Sequence, residues 1–111
     1  MVSYVELSDA EVDRIFRALA DSTRRDIVRR TLASGTSVSV LAEAYEMSFA
    51  AVQKHVAVLE EAGLVTKRPH GRERIVHGNP EAIRRVRALL DRYEQVWRGR
   101  VDRLDALLAS D

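Results

Sequence analysis

The sequence predicts a mainly α chain with one small β-hairpin, in the order α-α-α-α-β-β-α. Three observations carry that prediction. Apolar residues recur at three- and four-residue spacing through most of the 111 residues, and the runs open on a Ser, Asp or Asn able to cap a helix. The pattern changes only near "LVTKRPHGRERIVHG" at 64–78, which has the form of two strands around a turn. With 46% hydrophobic and 32% charged residues, the chain is expected to form a single domain over 1–111.

Each element has its own warrant. Ser8 with Glu11 three residues later forms a capping box, and Val12, Ile15, Phe16 and Leu19 then follow at helical spacing. Asp21 or Ser22 can cap a second helix that turns Ile27, Val28, Thr31 and Leu32 inward, with Gly35 as a left-handed stop. Ser37 or Ser39 can open a short third helix carrying Val40, Leu41, Ala44 and Tyr45. Only "EMS" separates it from the next cap, Ser48, and two helices joined by so tight a turn make a helix-turn-helix.

The fourth helix, roughly 48–62, divides by face. Val52, Val56 and Leu59, with Ala62 a turn further on, belong to a core, whereas Phe49, Ala50, Gln53, Lys54 and Ala57 point away from it. Gly63 ends the helix. In the hairpin, Pro69 and Gly71 are expected to supply the turn, with Lys67, Arg68, Arg72 and Arg74 near the tip. Asn79 and Pro80 suit the cap and first position of a last helix, 80–109, about 45 Å long at 1.5 Å per residue.

Composition narrows the function. The absence of cysteine removes disulfides, thiolate nucleophiles and cysteine-ligated metals. No apolar run approaches the roughly 18 residues of a membrane span, and the N-terminus lacks the basic and apolar regions of a signal peptide, so a cytoplasmic protein without a membrane partner is expected. No Ser, His and Asp arrangement, Gly-rich phosphate loop or apolar carboxylate pair suggests an enzyme. The net charge of +1 is uninformative as a sum but not in its distribution: residues 1–47 hold 6 basic and 8 acidic side chains, 48–78 hold 5 and 3, and 79–111 hold 7 and 6. The electropositive third is therefore the one containing the fourth helix and the hairpin.

"ALADSTRRDIVRRTL", "SVLAEAY", "MSFAAVQKHVAVLEEAGLV" and "TKRPHGRERIV" match, in order and spacing, the core of the ArsR-type bacterial repressors, and the chain resembles that family closely over 15–78. The resemblance implies a winged helix-turn-helix fold and a homodimer through the terminal helices. It also implies a double-stranded DNA operator of approximate two-fold symmetry, blocked transcription, possible autoregulation, and an effector that weakens binding. The fourth helix would enter the major groove and the hairpin wing would touch the flanking backbone or minor groove.

The residues fit that placement. A major groove about 12 Å wide admits one helix, N-terminal end first. Ser48 and Phe49 would enter first, Gln53 offers the donor and acceptor that match adenine, Lys54 reaches guanine or a phosphate, and Ala50 with Phe49 can touch a thymine methyl. Lys67, Arg68, Arg72 and Arg74 are expected to meet phosphates. His55, beside Val52, Val56 and Leu59, is expected to be partly buried and bonded to protein. Arg24 and Arg25 match a family motif, but local ion pairs with Asp21 and Asp26 are as good a use for them, and they stay outside the candidate site.

The last helix carries a stripe. Ile83, Val86, Leu90, Tyr93, Trp97, Val101, Leu104 and Leu108 succeed one another by three or four residues, too long a stripe for one domain to cover. The expected dimerisation set is Val12 and Phe16 from the first helix with Leu90, Tyr93, Trp97, Val101, Leu104 and Leu108. Gly99 in mid-helix would suit a close helix crossing or a frayed end. No cofactor and no metal site are expected: the positions that bear a thiolate pair in some family members align with Ser37 and Ser39, the last helix has no histidine, and His70 with His77 lacks an evident third ligand. Two other readings stay open, a protein-interaction module that has lost DNA binding, and a repressor with a small-molecule effector, of unknown identity, near Trp97 and Tyr93.

Overall fold

The computed structural model describes residues 6–110; residues 1–5 and Asp111, part of the expected single domain, lie outside it. Its elements are α1 (Asp9–Leu19), α2 (Ser22–Ala33), β1 (Thr36–Ser37), α3 (Val38–Glu43), α4 (Phe49–Glu61), β2 (Val65–His70), β3 (Glu73–Gly78) and α5 (Pro80–Ala109). The helix starts are those the sequence proposes. Ser8 Oγ accepts from the Glu11 N–H at 3.2 Å while a Glu11 carboxylate oxygen accepts from the Ser8 N–H at 3.1 Å, completing the capping box. That second bond is the main reason the Glu11 carboxyl is held below its usual range. Asp21, Ser37, Ser48 and Asn79 cap the other four helices, with Pro80 in the first turn of α5.

The core lies where α1, α2, α3 and α4 meet the sheet. Ile15, Ile27, Val52, Val56, Leu59, Leu64, Val65 and Val76 are essentially sealed from solvent. Loss of any of the larger aliphatics there would cost about 2–5 kcal/mol. A second fastening joins α2 to the turn that follows α3. The Tyr45 hydroxyl donates to Asp26 at 2.6 Å, Asp26 also accepts from Arg29 and Arg30 at 2.7 Å each, and the Arg30 guanidinium stacks 5.7 Å from the Tyr45 ring centroid. The Tyr45 hydrogen bond, then Arg30 and Arg29, hold the Asp26 carboxyl well below the usual range, and burial followed by Asp26 pushes the Tyr45 phenol up to about 12.

Four expectations are corrected. The sheet has three strands in the order β1-β3-β2, because the two residues of β1 pair antiparallel with β3, Thr36 opposite Val76 and Ser37 opposite Ile75. Gly35 is not a left-handed stop: Ser34 leaves α2 in an extended conformation, and the glycine is required instead because a Cβ there would collide with the His77 ring. Pro69 lies within β2 opposite Arg74, on the sheet's edge where its missing N–H is harmless, and the turn is Gly71 and Arg72, with φ +64° at the glycine. Leu32 is 41% exposed rather than inward, and α3 ends at Glu43, so Ala44 and Tyr45 lie beyond the short helix expected to carry them. Gly63 does end α4, and does so in the left-handed region at φ +75°.

α5 departs from the body. Ala82 is buried and Val86 packs on the core, and ion pairs from Arg85 to Glu11 at 3.5 Å and from Arg92 to Glu6 hold the helix beside the N-terminal end of α1. Beyond that the helix projects, which stretches the molecule to 71 × 34 × 25 Å.

Candidate nucleic-acid interface

α4 presents the division that its sequence implies. Val52, Val56 and Leu59 are fully buried, and their burial fixes which way the helix faces. Phe49, Ala50, Gln53, Lys54 and Ala57 are consequently on the exposed side. Ser48 is also exposed, but its Oγ accepts from the Ala51 N–H at 3.1 Å, so the hydroxyl serves the helix start. Phe49 stands 48% exposed at the first position of the helix, without a fold role that explains a large ring in water.

The hairpin pleat sorts the basic residues of the wing. Val65 and Val76 are buried against the body, and the pairing of Lys67 with Val76 and of Pro69 with Arg74 places Lys67 and Arg74 on that same side of the ribbon. Arg68 falls on the opposite side, and Arg72 sits in the turn. Lys67 is also less available than the sequence implies: its Nζ lies 3.7 Å from the Glu60 carboxylate of α4 and its side chain is only 19% exposed. Among the described residues Lys54, Arg68, Arg72 and Arg74 have no carboxylate partner within ion-pair distance, in contrast to the paired arginines of α2 and α5.

Wing and helix meet around one concavity of about 280 Å³. Phe49 and Gln53 line it from α4, Ser37, Val38 and Ser39 from the start of α3, and Lys67, Arg72, Glu73 and Arg74 from the wing. The structure thus brings five of the nine expected contact residues to one hollow. Ser48, Ala50 and Lys54 stand on the adjoining exposed face of α4, and Arg68 alone lies on the far side of the pleat. Glu73 was not among the residues that the sequence singled out. It lies between Arg72 and Arg74 in sequence and adds a negative charge at the wing tip.

The expected dimerisation residues are placed on two helices. Phe16 is 42% exposed on α1, and Val12 is half-buried. On α5 Leu90, Tyr93, Trp97, Leu104 and Leu108 are between 50% and 78% exposed, Val96 and Leu107 exceed 70%, and Val101 is half-buried. Gly99 does not interrupt the helix, and a Cβ there would meet only the Arg103 guanidinium at 3.5 Å, so nothing within the chain calls for a glycine.

For metal ligation, Ser37 is a buried helix cap, and His70 and His77 occupy opposite ends of the hairpin, where they cannot share an ion. Among the described residues no group of three or more His, Asp or Glu side chains is close enough to hold a metal. No helix of the described residues is long and apolar enough to cross a membrane.

Arg24 and Arg25 do something other than expected. Neither pairs with Asp26. Arg24 Nε donates to the Ala18 carbonyl at 2.7 Å and Nη2 to the Arg17 carbonyl at 3.0 Å, while Arg25 donates to the Leu19 carbonyl at 2.7 Å, so both guanidiniums cap the electronegative end of α1. His55 is half-buried and bonded to protein, as its position on α4 implies, and its Nδ1 lies 3.4 Å from Arg24 Nη1. The sequence signal for this is an Arg pair just after the end of one helix and at the start of the next, which geometry alone distinguishes from an ion pair.

Residues 19–68, from the end of α1 into β2, match a family described as a helix-turn-helix domain. The chain is 41% identical over 81 residues to the HTH-type transcriptional regulator Rv2034 of Mycobacterium tuberculosis, covering 73% of this chain and 76% of that protein. Among solved structures, an ArsR family transcriptional regulator superposes with a TM-score of 0.77 at 30% identity, covering 85% of this chain and 97% of that one. An ArsR-like transcriptional regulator from Rhodococcus sp. RHA1 superposes with a TM-score of 0.80 at 28% identity, covering 92% and 96%.

Proposed function

The chain belongs to the ArsR family of winged helix-turn-helix transcriptional regulators, and we propose that it acts as a homodimeric repressor reading an inverted-repeat operator. The observation that carries this reading is the convergence of the exposed face of α4 and the unpaired wing cations Arg72 and Arg74 on one side of the body. That side can lay Phe49, Ala50, Gln53 and Lys54 against base edges while Arg72 and Arg74 hold the flanking phosphates. The stripe on α5, with Phe16 of α1, supports a second copy as the partner, and α5 over 80–109 is its dimerisation helix. A two-fold axis between the copies sets the two α4 helices into successive major grooves about 34–36 Å apart. Occupation of such a site blocks transcription from it; the family resemblance adds its own promoter as a candidate target and the cytoplasm as the place of action.

Sedimentation with footprinting on the DNA upstream of its own gene tests the reading. A dimer at micromolar concentration that protects two half-sites one helical turn apart is expected. A monomer, or one unsymmetric footprint shorter than a turn, overturns it.

A further inference from the structure

The guanidinium of Arg24 touches two helices that the proposed function assigns to different partners. Through Nε and Nη2 it holds the last carbonyls of α1, and its Nη1 points at His55 Nδ1 in the middle of α4. Its own helix is fixed around it, because the Asp21 carboxylate accepts from the Arg24 N–H at 3.0 Å. A guanidinium can only donate, so the contact is a hydrogen bond in the tautomer that leaves His55 Nδ1 free to accept. The link is therefore directional: remove the acceptor on α4 and the arginine still caps α1.

We propose that Arg24, acting through His55, is the positioning residue that fixes α4 relative to α1 and so sets the spacing between half-sites that the dimer accepts. The inference rests on the two-fold docking proposed above. α1 carries Phe16 toward the partner copy, and α4 carries Gln53 and Lys54 toward DNA, two residues and one residue before His55. Hydrophobic packing of Val52, Val56 and Leu59 holds α4 in the core but is non-directional, and it tolerates small rotations about the helix axis. A hydrogen bond from Arg24 of α2, whose guanidinium is itself anchored on the last carbonyls of α1, to one ring nitrogen does not. An altered angle at α4 is doubled across the two-fold axis, where it appears as a change in the separation of the two reading heads.

The test uses the full-length chain and fluorescence anisotropy on a symmetric duplex selected from a random library, with versions one base pair longer and shorter between half-sites. The wild type should bind its native spacing about tenfold more tightly than either altered one. His55→Leu, which removes the acceptor at similar size, should reduce that preference to about twofold while leaving dimerisation and the salt dependence of binding unchanged. His55→Gln, whose side-chain carbonyl can accept from Arg24, should restore most of the preference. Arg24→Gln should behave as His55→Leu if it folds, and the His55 pair keeps the test open if it does not. If His55→Leu retains the full spacing preference, or if His55→Gln loses as much as His55→Leu, the positioning role is wrong. Loss of dimer or of all DNA binding by His55→Leu would make the link merely structural and also overturn it. A wild-type chain indifferent to spacing would instead sink the two-fold docking on which the inference rests.

Discussion

α4 and α5 both turn apolar side chains to solvent, but at different scales. Over 49–57 the exposed face of α4 holds alanines, one Gln, one Lys and a single ring, Phe49, within a helix of 13 residues whose other face is sealed in the core. The exposed face of α5 holds Leu90, Tyr93, Val96, Trp97, Leu104, Leu107 and Leu108 on a helix of 30 residues of which only Ala82 is buried. A small face that carries an amide and a cation suits a groove about 12 Å wide with polar edges. A long face of large hydrocarbon suits another protein surface, where each such side chain is worth about 1.5–3 kcal/mol when fully covered. Size and polarity, more than hydrophobicity, distinguish a face made for nucleic acid from one made for protein.

The largest effect that could break this distinction lies on α5. Trp97→Arg or Leu104→Arg places an unpaired charge in the proposed interface, a change expected to cost about 3–5 kcal/mol. The dimer dissociation constant should rise at least about a hundredfold by sedimentation, and specific DNA binding should go with it. Helical signal should largely persist, because the core of α1–α4 and the sheet does not depend on the distal half of α5. A dimer that survives either substitution would place the interface elsewhere.

On the other face the expected changes are electrostatic. Each of Lys54, Arg72 and Arg74 that meets a phosphate should contribute about 0.9, per protomer, to the slope of log affinity against log salt. The pleat sharpens this. Arg68, on the far side of the ribbon, should contribute less than Arg72 or Arg74, and Lys67 less again because Glu60 already holds it. Single alanine variants titrated between about 50 and 200 mM salt measure the order. Equal slopes for Arg68→Ala and Arg72→Ala would mean that the wing meets DNA edge-on, and a quadruple variant of Lys54, Arg68, Arg72 and Arg74 with an unchanged slope would remove the wing from the interface.

What could be read before the fold was known was mostly local. Ser8, Asp21, Ser37, Ser48 and Asn79 each cap a helix within three residues, so their signal lies inside a short window, and the buried triad of α4 follows from period alone. The exposed stripe of α5 was legible because one domain of this size has too little surface to cover it. The misreadings concern partners distant in sequence. Gly35 is dictated by His77, β1 exists only because β3 lies beside it, and Arg24 finds the carbonyls of α1 rather than the acids beside it. At the interface, residue types on α4 were readable, whereas the sorting of Lys67, Arg68 and Arg74 needed the hairpin register and Pro69 within the strand.

A smaller effect tests base reading alone. Gln53→Ala removes a potential bidentate contact to adenine worth about 1–3 kcal/mol of discrimination. Preference should relax at one symmetric pair of base positions in a selection experiment, with the salt slope and the dimer unchanged, which is the separation of faces that α4 and α5 imply. A uniform loss across all sequences would assign Gln53 to the backbone instead.

The smallest expected effect should touch neither face. Tyr45→Phe deletes the hydrogen bond to Asp26 between α2 and the turn that leads into α4, while Arg29 and Arg30 remain to hold the carboxylate. The cost should be about 1 kcal/mol of folding stability in urea, with no change in dimerisation or base preference. Acid sharpens the assignment. Because the Asp26 carboxyl is held below its unfolded value of about 3.9, its contribution is fully present above that pH and is lost as pH falls through the folded value. The hydroxyl is the leading cause of that lowering, so the difference between wild type and Tyr45→Phe should be constant near neutrality and shrink below about pH 4. A difference that instead grows in acid would mean that the phenol stabilises the protonated carboxyl, and the fastening of α2 to the helix-turn-helix would have to come from ring packing against Arg30.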